Sequence, residues 1–127
     1  MSKVGKYEGR AAIELLDDGR RVQLTEPFAY HDSCAQIWRV PPGAIVDGAS
    51  IPKALWSVIG GPFEGKYRAA SIIHDWYCDI RVRPWKAVHR VFYEAMLASK
   101  VSNRIATLMY AAVYWGGPVG RSVGPAQ

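Results

Sequence analysis

Residues 40–52 read VPPGAIVDGASIP and divide the sequence into two unlike halves. The Pro-Pro-Gly run at 41–43 is poorly suited to a sheet interior, because proline cannot donate a ladder hydrogen bond and glycine weakens a strand. Ser50 is a good N-cap residue, and Pro52 is tolerated in a first helical turn. We therefore expect β structure before this stretch and helices after it.

Short apolar runs separated by turn residues occupy the first half of the chain. Between the first two runs lies Asp18-Gly19, a pair that favours a tight hairpin turn. The predicted strands cover residues 11–16, 21–24, 27–30 and 36–40.

In the second half, apolar residues recur with the period of a helix. A short helix from residue 51 should end at the Gly-Gly-Pro run 60–62, and two longer helices should cover about 66–78 and 85–100. A fourth should run from its cap at Ser102 to the Gly-Gly-Pro run 116–118.

Strands followed by helices predict an α+β domain, in which a small antiparallel sheet from the N-terminal half packs against three to four C-terminal helices. Residues 1–118 would form this single domain, and residues 119–127 an extended C-terminal tail that contains glycine and proline.

Composition supports a packed domain, since half of the 127 residues are apolar and 21% are charged. No window approaches the ~20 consecutive apolar residues of a membrane span, and the N-terminus lacks the apolar core of a secretory signal. We therefore expect synthesis in the cytoplasm and no transmembrane segment. The net charge of +5 is spread along the chain, and the densest basic stretch, 81–86, carries no nucleic-acid motif, so no specific nucleic-acid partner is expected.

Asp47 lies between apolar residues and a Gly-Ala-Ser-Ile-Pro turn. One interpretation is that Asp47 and Ser50 brace this turn by side-chain hydrogen bonds to the backbone. The other is a carboxylate held rigidly at the mouth of a pocket.

His74 and Asp75 form an ionisable pair inside an apolar helix, where unpaired burial would cost several kcal/mol. Adjacent helical residues point about 100° apart, so one should face a site while the other braces it.

His89 shares a helical stripe with Phe92, Tyr93 and Met96, which places its imidazole on or beside the buried face of the next helix. If the two helices pack as an antiparallel pair across the 79–83 turn, His74 and His89 lie at comparable heights. We therefore predict that Asp47, His74, Asp75 and His89 converge.

Three uses of such a cluster are open. His74, His89 and Asp47 would make a nitrogen and oxygen ligand set for a divalent metal such as zinc or calcium. Without a metal, His74, Asp75 and Asp47 could be catalytic residues in acid–base chemistry. The third use is a structural polar network that ties the helices to the sheet. Cys78, four residues after His74, offers a weaker metal-ligand spacing.

The motifs V-P-P-G-x-x-x-D-G-A-S-I-P, G-x-Y-x-x-A-x-x-x-H-D-W-Y and H-R-x-F-Y-E-A-M resemble an uncharacterised family, the domain of unknown function numbered 1353. The resemblance covers about residues 28–114 and implies a phage or prophage origin, but no activity. It matches Asp47, Ser50, Pro52, His74 and Asp75.

The third motif departs from the family pattern, because an aspartate is expected where this chain has His89. The His-Asp helix followed by a second helix with an inward polar residue is also similar to the catalytic helix pair of phospholipase A2. In that class a histidine activates water and an aspartate helps to hold calcium. This chain lacks that class's disulfides and calcium-loop glycines.

These observations predict a phage-encoded, metal-assisted hydrolase of an ester or phospholipid-like substrate, made in the host cytoplasm. The alternative is a non-catalytic virion or tail-assembly component that binds other phage subunits or itself. In that case residues 119–127 should run along another chain or a groove, with Arg121 in a polar contact.

Overall fold

A computed structural model describes residues 4–116, and six short strands occupy its first part. They pair into two three-stranded antiparallel sheets, β1-β4-β5 and β2-β3-β6. The strands are β1 (Lys6–Gly9), β2 (Ile13–Leu15), β3 (Val22–Leu24), β4 (Phe28–His31), β5 (Ile37–Val40) and β6 (Ile45–Val46).

The helices follow in the second part of the chain, so the predicted α+β class is confirmed. A 3-10 turn at Lys53–Leu55 leads into the short α1, and another at Gly65–Tyr67 leads into α2. The helices are α1 (Trp56–Ile59), α2 (Arg68–Ile80), α3 (Trp85–Ala98) and α4 (Asn103–Gly116). None of the described helices is long and apolar enough to cross a membrane.

The structure has two sheets where the sequence predicted one, and two strands were missed. In β1 three of the four residues are exposed, so the strand lacks an apolar alternation. The Pro-Pro-Gly run ends β5, and Gly43 then takes a φ of 86°, which reverses the chain. The Gly43 N–H donates to the Leu24 carbonyl at 2.8 Å. The chain after Gly43 is thereby held beside β3, so β6 belongs to the β2-β3-β6 sheet and not to the sheet that contains β5.

Helix signals in the sequence agree with the observed ends of α2, α3 and α4 to within about two residues. Helix α3 begins directly after Pro84, and the Ser102 hydroxyl accepts the Ile105 N–H at 3.3 Å at the start of α4. Gly60 ends α1 in a left-handed conformation with φ 83°.

The short helix predicted from residue 51 is wrong at its start: a 3-10 turn occupies Lys53–Leu55, α1 begins at Trp56, and no side chain caps either element. Ser50 does not cap a helix, because its hydroxyl bonds His74 instead.

The core lies between the helices and the β1-β4-β5 sheet. The predicted stripe of α3, Val88, Phe92 and Met96, is fully buried, and so are Tyr30 on β4 and Trp38 on β5. Helix α3 packs against both α2 and α4, and α2 also contacts β5 and β6. This packing brings the middle of α2 next to the 47–50 turn. The predicted tail, residues 119–127, lies outside the described residues.

Candidate functional site

His74 on α2 and His89 on α3 meet directly. His74 Nε2 lies 2.9 Å from His89 Nδ1, which is hydrogen-bond distance, and the ring planes are 28° apart. Both residues are 0% exposed. The short 81–84 connection between the two helices makes this contact possible, because it sets residues on either side of the turn opposite one another.

Asp75 points away from that pair and holds the 47–50 turn. Its Oδ2 accepts the Asp47 N–H at 3.0 Å and its Oδ1 accepts the Ser50 N–H at 3.1 Å. Ser50 Oγ in turn lies 2.9 Å from His74 Nδ1. The two neighbours on α2 therefore serve different partners, as their 100° separation on a helix requires.

Asp47 contributes its backbone to this cluster rather than its carboxylate. Its Oδ1 accepts the N–H of Ala49 at 2.9 Å, which braces its own turn. The half-buried side chain also lines a cavity of about 300 Å³ together with Trp56 and Phe63. Gly48 takes a φ of 77°, and a Cβ there would lie 2.6 Å from Pro62 Cγ, so glycine is needed at this position.

The predicted metal ligands do not assemble into one set. Within residues 4–116, no three His, Cys, Asp or Glu side chains form a group that could hold a metal ion. His74 and His89 contact each other, whereas the Asp47 carboxylate bonds Ala49 in its own turn. Cys78 Sγ lies 3.7 Å from His74 Nε2, but burial raises the pKa of its thiol and thereby disfavours the thiolate that binds metals.

Burial also decides the charge of the two imidazoles. It lowers the pKa of His89 from 6.5 to about 4 and, together with the nearby His89, lowers the pKa of His74 well below 6.5. Burial raises the pKa of Asp75, while hydrogen bonds from Ser50 and Asp47 oppose that rise. Both imidazoles are therefore neutral at neutral pH, and each has one N–H donor and one acceptor nitrogen.

Two proton arrangements are compatible with these hydrogen bonds. The Ser50 N–H donates to Asp75 Oδ1 at 3.1 Å, which lowers the pKa of Asp75, and the Ser50 hydroxyl contacts His74 Nδ1. In the first arrangement Ser50 Oγ accepts from His74 Nδ1–H and His74 Nε2 accepts from His89 Nδ1–H, which leaves a lone pair on His89 Nε2. In the second, both hydrogen bonds run in the opposite direction and His89 Nε2 carries the hydrogen. That nitrogen is buried and has no hydrogen-bond partner among the described residues.

Aromatic rings surround the histidine pair. Phe92 lies 4.6 Å from the His74 ring, while Trp85 and Tyr114 lie 5.5 and 6.0 Å from the His89 ring, between centroids. Trp85 is the first residue of α3, and Tyr114 is in the last turn of α4. The free nitrogen therefore belongs to a ring enclosed by side chains from two helix ends.

Three polar side chains have contacts that the sequence did not predict. Ser50 was predicted only as a cap or turn brace, yet its N–H bonds Asp75 and its hydroxyl bonds His74. Asp32 is buried and accepts the Trp38 Nε1–H at 2.9 Å. Glu94 accepts the Tyr30 hydroxyl at 2.7 Å and ties β4 to α3. Its i+4 spacing from Arg90 was the available signal.

We expect the protein to lose stability between about pH 6.5 and pH 4. A buried histidine whose pKa is lowered by folding binds its proton in the unfolded state first, so the free energy of unfolding falls as the pH drops through this window. Asp75 acts in the opposite sense, because its raised pKa lets the folded state take up a proton first. Urea unfolding at pH 7 and pH 4.5 measures the difference.

Two variants isolate the contribution of the buried imidazole to the pH dependence of the free energy of unfolding. His89→Gln should flatten the pH dependence, because it removes one buried titrating ring. His31→Gln is the comparison variant, because it removes a partly exposed histidine that pairs with Glu8 at 2.6 Å; only a flattening specific to His89→Gln reports on the buried ring. Equal slopes for His89→Gln and the wild type would contradict the buried, neutral state of His89.

The cluster lies within the part of the chain that matches a known protein family. A family described as "Protein of unknown function (DUF1353)" matches residues 22–113, which include Asp47, Ser50, His74, Asp75 and His89. The "Uncharacterized protein y4jT" of Sinorhizobium fredii (strain NBRC 101917 / NGR234) is 42% identical over 116 residues, covering 90% of this chain and 34% of the relative.

A second relative from the same organism, "Uncharacterized protein y4iH", is 42% identical over 106 residues, which cover 84% of this chain and 44% of that protein. The chain thus spans less than half the length of these two curated relatives. No solved structure gives a significant match. The family match covers both sheets from β3 onward and nearly all of the helices, and on that basis the chain belongs to the DUF1353 family of proteins of unknown function.

Proposed function

We propose that this domain is a hydrolase in which His89 Nε2 is the general base, acting on an ester or phospholipid-like substrate. The observation that carries the proposal is a hydrogen-bonded series in which the Ser50 N–H bonds Asp75, the Ser50 hydroxyl bonds His74, and His74 bonds His89. The series ends at His89 Nε2, which is buried and has no partner among the described residues. A base held at one ring nitrogen and free at the other is the arrangement that general-base catalysis uses.

In the proposed reaction, His89 Nε2 takes a proton from water as the oxygen attacks the acyl carbonyl. When the ester bond breaks, the imidazolium returns the proton to the leaving alkoxide oxygen. His74 and Ser50 are positioning residues, since they fix the tautomer and orientation of His89. Because burial lowers the pKa of His89 to about 4, the ring is unprotonated at neutral pH.

Access to the nitrogen requires movement of the rings that cover it. Trp85 and Tyr114 lie 5.1 Å apart between ring centroids, and both are only partly buried. They belong to the first turn of α3 and the last turn of α4, where helices fray most readily. Substrate entry between these two side chains is therefore part of the proposal.

The test is a screen of the purified protein against short-chain esters and phospholipids, with and without a chelator, beside elemental analysis of the sample. We expect hydrolysis that persists in the chelator and declines only as the pH approaches 4. Activity that is lost on chelation and restored by zinc or calcium would favour the metal-assisted route instead. Absence of hydrolysis across the panel would count against any hydrolase.

A non-catalytic virion or tail-assembly component is the second candidate, and the complete burial of His74 and His89 favours it. In such a protein the cluster would serve only to lock the 47–50 turn to α2 and α3. The phage origin is part of this proposal and is supported by the sequence resemblance alone. Deletion of residues 119–127 should then leave the domain folded but weaken its association, as measured by sedimentation. Unchanged association would favour the hydrolase over the virion component.

A further inference from the structure

A cavity of about 410 Å³ lies between the β1–β2 connection and the start of α2, away from the histidine pair. Three cationic residues line it: Arg10 from the strand connection, and Lys66 and Arg68 from the entry to α2. None of the lining residues is acidic. The cavity is therefore a concave, positively charged space within a chain of net charge +5.

The charges of Lys66 and Arg68 are not neutralised by a carboxylate among the described ion pairs. Lys66 Nζ reaches only the carbonyl of Lys100, at 3.4 Å, and Arg68 Nε donates to the carbonyl of Phe63 at 3.0 Å. Arg10 differs, since it pairs with Glu26 at 3.2 Å near the surface. Two of the three cations thus keep uncompensated charge and further N–H donors.

Hydroxyl groups complete the lining on the α3 side. The Tyr7 hydroxyl donates to the carbonyl of Ala95 at 2.9 Å and lies 2.9 Å from Ser99 Oγ. Burial raises the pKa of Tyr7 to about 12, so this side chain adds no negative charge at neutral pH. Tyr7 and Ser99 therefore add neutral polar groups to the lining.

We propose that this cavity binds a phosphate-bearing anion, with the phosphate held by Lys66 and Arg68. Lysine and arginine side chains are the usual phosphate partners in proteins. The volume is typical of small-ligand pockets, which suits one phosphorylated molecule or one lipid headgroup. Duplex nucleic acid would instead require cations along an extended surface. The proposal is independent of the hydrolase assignment.

The experiment titrates the full chain with inorganic phosphate and glycerol 3-phosphate by calorimetry, and with vesicles of phosphatidylglycerol or phosphatidylcholine by co-sedimentation. Lys66→Gln and Arg68→Gln should each weaken binding at least tenfold. Lys6→Gln is the matched control, because Lys6 is exposed, does not line the cavity, and alternates with Tyr7 along β1. The control should stay within twofold of the wild type.

The calorimetric titrations and the vesicle co-sedimentation together identify the source of the phosphate. Binding of the small phosphates indicates a free phosphorylated ligand, and binding of phosphatidylglycerol vesicles alone indicates a headgroup. Failure of both probes overturns the proposal. So does an equal loss in Lys6→Gln, or an affinity that grows with the length of a DNA oligonucleotide, since each reflects general charge attraction. Lys66 is exposed, so its variant stays informative if Arg68→Gln proves unstable.

Discussion

Replacing His89 with glutamine should lower kcat/KM for the best ester of the screen by about 10²–10⁴-fold, the usual contribution of a general base. Glutamine can still hydrogen-bond His74, but its amide cannot accept and return a proton at neutral pH. The loss should appear mainly in kcat, because the base acts on water and not on substrate binding. Initial rates at pH 7 measure it.

Two companion variants make this result specific. His31→Gln removes an exposed histidine paired with Glu8 and should retain full activity. Ser50→Ala should reduce kcat less than His89→Gln and alter the pH profile, because it removes the hydroxyl that orders the protons of His74. Retained activity in a folded His89→Gln protein would refute the assignment of the base, whatever Ser50→Ala does.

Replacing His74 with alanine should lower the free energy of unfolding by about 3 kcal/mol. The ring is 0% exposed and packs 4.6 Å from Phe92, so truncation leaves a cavity. It also leaves Ser50 Oγ and His89 Nδ1 without the hydrogen-bond partner that His74 provides. Urea denaturation measures the change.

The control for this prediction is again the exposed histidine. His31→Ala should change the free energy of unfolding by less than about 0.5 kcal/mol, as surface substitutions usually do. A loss below about 1 kcal/mol in His74→Ala would show that the cluster contributes little to the fold, which would remove the main support for a purely structural role. A large loss combined with no detectable hydrolysis in the wild type would support that role.

Local sequence signals were enough to predict the three longer helices, α2, α3 and α4, and the fold class. The 3.6-residue periodicity of α3, with Val88, Phe92 and Met96, matches its buried face, and Ser102 caps α4 as predicted. The divergence of His74 and Asp75 also follows from local geometry, since adjacent helical residues always point about 100° apart. Such features depend on residues within one or two turns of each other, which a single sequence displays directly.

Long-range pairing could not be predicted in the same way. Strand β1 pairs with β4 although residues 10–27 separate them, and β3 pairs with β6 although residues 25–44 do. The 37–40 and 45–46 strands lie in different sheets although only four residues separate them. Strand propensity shows that a segment is extended, but its partner depends on the packing of both sheets against the helices.

By itself, then, the sequence determined that strands precede helices and that His74, Asp75 and His89 are polar groups on apolar helix faces. Only the tertiary structure decided what they contact. His89 Nδ1 bonds His74 Nε2, and Ser50 bonds both His74 and Asp75. The Asp47 carboxylate bonds the backbone of its own turn. The tertiary structure alone also brought Arg10 next to Lys66 and Arg68. The physical reason is that side-chain hydrogen bonds are set within tenths of an ångström by the packing of distant segments, whereas periodicity and capping are set by near neighbours.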